Sequence, residues 1–576
     1  MKQLMYYEMR AYFYPREITN SVEFKLSELE TLWFCSLKNV KRKLKQLAEE
    51  EKIVYSPGLG RGNSSTITFK QPFQTEIEEE AKKLIRKDQI EDIIQLLQLP
   101  IPKTWIANIS REVQELFGLQ TSTDSGDILR TIISRKITTL DPLHTSMNFE
   151  SYLLQQLGDT LVTYDDNEDS IHPHLAHHWE SSDDHKNWIF HLRKGVRFHN
   201  QSYLTSEDVK HTFQRFQQNS SSFQWLIEDI IEITCLSLYK IEFTLKRSNP
   251  FFLRYISSPN LAILPKDEPF DERIWIGSGP FQMKQNTDTK IVLRAFDHYF
   301  LTRPLLDEVE IYSVKHETSK YLTSFEIGKD GESKNPINKE SFEVGFRFLA
   351  FNFKKETIVH NPFIREAIFH LFDVNRMAVD VGRTNLKESS SYFYWKASPQ
   401  HKDRKLVPYL LNKAHYQGEV LTIFTVGYPS YIEEAEWLKR EAEEFGLQFE
   451  IKTYQLSELY GKRIEEADLL FMGDVASTDY HLSFIGAFLN KSLIFNRFFS
   501  DGQLEYINSI FEEIKNEDDK NIRDRLIDKV ESYIKRENLY LYLYHPIKKR
   551  SFHPLIKDVK FTSFGFVDLQ KIWIKH

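Results

Sequence analysis

The sequence predicts an α/β protein in which a small helix–helix–hairpin module precedes a much larger α/β body. Three observations carry this: a length of 576 residues, a helix, helix, strand, strand order between Leu26 and Phe69, and alternating strand-like and helical segments from Leu129 onward. The length is several times the roughly 150 residues of a typical domain. With 41% hydrophobic and 14% aromatic residues the chain can fill large cores, which excludes a disordered or fibrous class. Two cysteines, Cys35 and Cys235, exclude a disulfide framework and a four-cysteine zinc site.

The first element is a helix from Leu26 to Trp33, with leucines at three-residue spacing and Ser27 and Glu30 placed as a capping box. A break at Cys35-Ser36 leads to a second helix, about Leu37 to Glu50. On it Val40, Leu44 and Leu47 share one face, while Lys38, Lys41, Arg42 and Lys45 form a second, basic stripe. A recognition helix needs this division, one face for a core and the other for phosphates. A lysine-rich helix alone is equally a solvated surface, so the next segment decides. Lys52–Tyr55 reads as a strand, Ser56–Ser65 as a glycine-rich turn and Thr66–Phe69 as a returning strand. That is the order of a winged helix-turn-helix, with Arg61 between two glycines at the wing tip. The glycines lack the Gly-Lys-Ser/Thr ending of a phosphate loop and lead into a strand. Charge agrees: residues 1–70 hold 12 Lys/Arg and 8 Asp/Glu, a net of +4 within a total of −8. The acidic total therefore does not exclude a nucleic-acid binder.

A charge-rich helical stretch follows, Thr75 to Gln98, then a short helix from Asn108 to Phe117 and a polar run, Gln120 to Gly126, that reads as a boundary. In the body, 240–245, 289–294, 419–426 and 447–454 read as strands and 432–445 as an amphipathic helix. No window approaches the roughly 18 apolar residues of a membrane span, and the N-terminus lacks a secretory pattern, so a cytoplasmic chain is expected.

Several blocks of the body carry a resemblance. His174-Leu175-Ala176-His177-His178-Trp179-Glu180, Trp188 to His199 and Leu204-Thr205-Ser206-Glu207-Asp208-Val209 resemble the signature of extracellular solute-binding proteins of family 5. Gly277-Ser278-Gly279-Pro280-Phe281, Phe296-Asp297-His298-Tyr299-Phe300, Pro304 to Val309 and Pro362 to Asn375 follow in that family's order. A body of this kind behind a winged helix is similar to the SgrR family of transcriptional regulators. The resemblance implies a DNA-binding domain at 1–70, a helical connector at 71–124, a first periplasmic-binding-protein-like lobe at 125–345, a second at 346–534, and a return segment at 535–576. It implies a regulator of transport or stress genes that binds double-stranded DNA and senses a peptide, sugar or sugar phosphate between its lobes. An exported receptor for an ABC transporter is the alternative, but it would need a signal peptide or an N-terminal lipoprotein cysteine.

For the ligand, Asp474 in Phe471-Met472-Gly473-Asp474-Val475 resembles the carboxylate with which peptide binders hold an α-ammonium group, although an Asp/Glu-Pro continuation is missing. Tyr394 and Trp395 offer aromatic surface for stacking, or equally for a core. The histidines between 172 and 199 invite a metal, but the family pattern makes them a surface turn. No Gly-x-Ser-x-Gly, His-Glu-x-x-His or Walker motif occurs, so neither an enzyme nor a cofactor is expected.

Overall fold

A computed structural model describes residues 2–58, 63–114, 116–122, 126–166, 168–319, 337–342, 345–475, 479–552, 554–562 and 565–575. The N-terminal module contains two elements beyond the expected ones: a helix α1 (Lys2–Phe13) and a strand β1 (Ser21–Phe24). Helix α2 (Leu26–Trp33) and helix α3 (Leu37–Glu49) follow, then β2 (Ile53–Ser56) and β3 (Ser65–Phe69). The sheet order is β1-β3-β2, all antiparallel, with Val22 and Tyr55 both opposite Ile67. Helix α2 spans the expected residues, but its cap lies two residues before Ser27: Lys25 is the N-cap, and its amide donates to Glu28 Oε1 at 2.8 Å. Buried Leu29, Val40, Leu44, Ile67 and Phe69 make the core, as the apolar spacing requires.

The connector is three helices, α4 (Phe73–Arg86), α5 (Ile90–Leu97) and α6 (Lys103–Gln114), where the sequence suggested two. Asp88, in the left-handed region at φ 54°, makes the extra break. The break rephases the apolar residues, so that Ile77, Ala81 and Leu84 on α4 and Ile90, Ile93, Ile94 and Leu97 on α5 enter one core. Buried Arg10 ties this connector to the winged module. Its guanidinium pairs with Glu76 of α4 and Glu17, and lies over the rings of Phe69 and Phe73.

The polar run from Gln120 begins inside a strand: β4 (Gly118–Ser122) pairs antiparallel with β5 (Gly126–Ile133). These strands complete a five-stranded sheet of order 281–286, 290–295, 308–313, β5, β4, in which 308–313 runs parallel to β5. A second, antiparallel sheet holds 230–237, 240–245, 187–192 and 176–181. The other lobe is built on the order 448–454, 420–426, 469–475, 345–351, 540–542. Strands 420–426, 448–454 and 469–475 are parallel, so their carboxyl ends open on the same side. Tyr540–Tyr542 still belongs to this lobe. The crossing back is made by Tyr544–Phe552, which pairs with Ile337–Phe342 on the way and delivers Phe552 into the core of the first sheet.

Candidate functional site: a basic helix face and an interlobe cleft

On α3 the buried face of Val40, Leu44 and Leu47 points into the module's core, while Lys38, Lys41, Arg42 and Lys45 are exposed. Lys38, Lys41 and Arg42 have no ion-pair partner among the described residues, and Lys45 meets only Glu49, at 3.7 Å and well exposed. Such an exposed pair contributes about 0.5 kcal/mol or less, so the face remains an unneutralised cationic row. Arg61, expected at the wing tip, lies outside the described residues.

The module is not a bead on a string. Tyr312 and Val314 of the first lobe are part of the N-terminal core, and Phe117 meets Tyr312 edge-on at 5.8 Å. Around this contact Arg130 of β5 grips Asp88 with two bonds of 2.8 and 2.6 Å and Glu310 with one of 2.7 Å. Glu310 also takes Lys290 at 2.7 Å, and the Thr289 hydroxyl donates to Glu91 of α5 at 2.6 Å. Apolar contact surrounded by charge-assisted bonds ties the winged module and its connector to the first lobe.

Between the lobes lies a cavity of about 640 Å³, within the usual range for small-molecule sites. One wall is β5 from Leu129 to Ile133, with Arg135, Phe149 and Tyr152; the other is formed at the carboxyl ends of the parallel strands by Val426, Tyr454, Met472 and Gly473. Open α/β sheets bind ligands at that end because loops and helix starts converge there. Here the turn Gly427-Tyr428-Pro429 starts the helix Pro429–Glu443, which carries Tyr431 to the cavity. Arg135 is already neutralised by a two-bond pair with fully buried Glu150, both at 2.6 Å. Arg347 differs. Its guanidinium lies 3.5 Å from the centroid of the Tyr431 ring, and Nε donates to Tyr544 Oη at 3.4 Å. Gly473 makes room for it, because a Cβ there would stand 2.7 Å from Nη1. The nearby Glu434 is occupied: it accepts from Tyr544 at 2.9 Å and pairs with Arg383 at 3.1 Å. Burial pushes the Glu434 carboxyl up, against the pull of Arg347 and Arg383. A cross-lobe bond between Ser146 and Tyr460 closes the rim.

Asp474 lies on strand 469–475 opposite Phe346, one residue from cavity-lining Gly473; its side chain is outside the described residues. Tyr394 and Trp395 are elsewhere. Tyr394 stacks on Phe342 at 4.9 Å and Trp395, half exposed, on Phe393 at 5.0 Å, and neither lines the cavity. The sequence placed them near the family's cleft segment; packing on Phe342 for Tyr394, and on Phe393 and Tyr480 for Trp395, holds them elsewhere. Of the histidines, His174 binds Asp159 at 2.8 Å and His191 binds Glu180 at 2.7 Å. No metal-holding group of three His, Cys, Asp or Glu occurs among the described residues. Arg347, Tyr431 and Tyr454 were missed. The available signal was a lone arginine inside the apolar strand Phe346-Arg347-Phe348-Leu349-Ala350-Phe351.

Two family models match the sequence. The one for bacterial extracellular solute-binding proteins, family 5 middle, covers residues 170–496, and the one for the sugar transport-related sRNA regulator N-terminus covers residues 2–116. The chain is 26% identical over 563 residues to the uncharacterized protein YhjP of Bacillus subtilis, spanning 96% of both chains. It is 25% identical over 355 residues to the HTH-type transcriptional regulator SgrR of Yersinia enterocolitica, 61% of each chain. Its fold matches the periplasmic binding protein DppA of Helicobacter pylori in complex with the peptide STSA. The TM-score is 0.66 at 21% identity, over 78% of this chain and 98% of that one. The oligopeptide-binding protein AppA of Bacillus subtilis, in complex with a nonapeptide, gives 0.67 at 17% identity, over 78% and 99%. In the described residues no helix is long and apolar enough to cross a membrane.

Proposed function

The chain belongs to family 5 of the bacterial extracellular solute-binding proteins, and on that premise we propose that it is a ligand-responsive, DNA-binding transcriptional regulator. The α3 face holds double-stranded DNA, and the interlobe cleft takes the small molecule that controls it. We place it in the cytoplasm, where its DNA is, and assign it no catalysis.

The observation that carries this reading is the shared core of the winged module and the first lobe at Tyr312 and Val314. Because that junction ties the winged module to the first lobe, any change in the second lobe's position against the first is also a change against the DNA-binding module. The cleft continues into a side cavity of about 830 Å³ lined by Gln98 at the end of α5, Lys315 of the first lobe, and Pro429 and Gln455 of the second. Lobe movement therefore changes what faces the connector. A ligand shifts DNA affinity only by the difference in its own affinity for the two arrangements.

The test is binding of the full-length chain to a mixed-sequence duplex at several salt concentrations. Salt-sensitive binding is expected, and its absence removes the DNA assignment. Replacing Lys41 and Arg42 by alanine should weaken binding and lower the log–log salt slope by about 2, one for each lost phosphate contact. An unchanged slope would move DNA off this face.

A further inference from the structure

We propose that the cleft holds its ligand by an anionic group, a carboxylate or a phosphate, received by the Arg347 guanidinium and the Tyr454 hydroxyl. This deepens, and rests on, the reading of the cleft as the sensor site.

Charge is the first ground. Among the described residues lining the cavity the ionisable cations are Arg135, Arg347 and Lys548, and there is no Asp or Glu. Arg135 is cancelled by Glu150. Arg347 has no carboxylate at ion-pair distance among the described residues. Glu434, whose charge acts on it, pairs with Arg383 at 3.1 Å, and Arg383 also meets Glu433 at 3.3 Å, so neither carboxylate is bonded to Arg347. A cation drawn out of water costs free energy until an anion joins it.

Hydrogen bonding is the second, independent ground. Only Nε of Arg347 has an acceptor among the described residues, which leaves the Nη groups, the fork that fits carboxylate and phosphate oxygens, unused. Tyr454 lines the same cavity, is 1% exposed, and its hydroxyl has no hydrogen-bond partner among the described residues. A buried hydroxyl without a partner is rare because leaving it unpaired is costly. An oxyanion satisfies both donors at once. The Tyr431 ring beneath the guanidinium fixes its plane, and Phe149, Tyr152, Phe346 and Phe566 offer an apolar wall for the rest of the molecule. The ligand class is thus a small organic anion with an apolar or aromatic body.

The experiment is calorimetric titration and thermal shift of the full-length chain with phenyl phosphate, phenylacetate, inorganic phosphate, phenol and phenethylamine. Phenyl phosphate or phenylacetate should bind and raise the melting temperature, the stronger of the two identifying the oxyanion; phenol and phenethylamine should do neither. Arg347→Met, which keeps the stem over Tyr431, should weaken the anion at least tenfold, and Tyr454→Phe several-fold. If Arg347→Met does not fold, Arg347→Lys and Tyr454→Phe carry the test. Preferential binding of phenethylamine, no binding of either aromatic anion, or unchanged affinity in the variants overturns the proposal. Duplex binding is measured on the same samples. Salt-sensitive DNA binding without anion binding would remove the ligand class and leave the regulator; anion binding without DNA binding would do the reverse.

Discussion

Asp479→Ala should be the most damaging single change outside the hydrophobic cores, lowering stability by about 3–5 kcal/mol. Asp479 (3% exposed) and Arg254 (7%) form a buried two-bond pair between the lobes, one bond at 2.6 Å. Arg254 continues to Asp169 at 3.0 Å, and Asp169 pairs with Arg523, so four charges alternate in sign across the interface. Removing Asp479 leaves Arg254, which lies 4.2 Å from the centre of the Tyr164 ring, to share Asp169 with Arg523, two guanidinium groups on one carboxylate. It also uncaps the helix Tyr480–Leu489, whose Leu482 amide it accepts at 2.9 Å, a further loss of about 1 kcal/mol. Thermal unfolding of Asp479→Ala, Arg254→Met and the double variant measures this. The double variant should recover part of the loss, because no unpaired buried charge remains. A single-variant loss below about 1 kcal/mol would show that water reaches the pair and that the lobes part there in solution.

None of that network was legible in the sequence, and the reason is general. Asp169, Arg254, Asp479 and Arg523 are separated by tens to hundreds of residues, and a charge's partner is set by topology rather than by local pattern. What was legible was local. The 3.6-residue spacing of Val40, Leu44 and Leu47 carries its own phase information, so the exposed row from Lys38 to Lys45 followed from the same helix. Helix α1 escaped because its apolar and charged residues are not cleanly segregated: Tyr6, Met9 and Phe13 enter the core on the same element as buried Arg10, whose charge meets Glu76. The cleft was legible only as a place. The strand at 419–426 and the Asp474 segment marked its edge, but which side chains face it depended on Gly473 and Tyr431 meeting Arg347 from two other elements.

His199 should make the first lobe acid-labile, beginning well above the range in which carboxylates titrate. The ring is built into the Gly277-Ser278-Gly279 turn: the Gly277 amide donates to Nδ1 at 3.2 Å, and Nε2 stands 3.1 Å from the Gly279 carbonyl. One nitrogen must therefore accept while the other donates, which only the neutral ring can do. The turn cannot shift to accommodate a charged ring. A Cβ on Gly277 would already lie 2.3 Å from the Leu157 carbonyl oxygen, and one on Gly279 would lie 2.4 Å from the Leu157 carbonyl carbon. Burial accordingly pushes the His199 pKa down to about 4, against the bond to Gly279 and the charge of Asp159. Burial also lowers those of His481 and His545. Below about pH 6.5 the unfolded chain binds protons that the folded chain refuses, so stability is full above that pH and falls as the pH drops towards 4. Each fully effective histidine contributes a slope of about 1.4 kcal/mol per pH unit. The melting temperature should decline steadily from pH 7 to pH 5. His199→Asn should start lower at pH 7, having lost one of the turn's bonds, but decline less steeply. Equal slopes in the two proteins would place the acid sensitivity elsewhere and free His199 of this role.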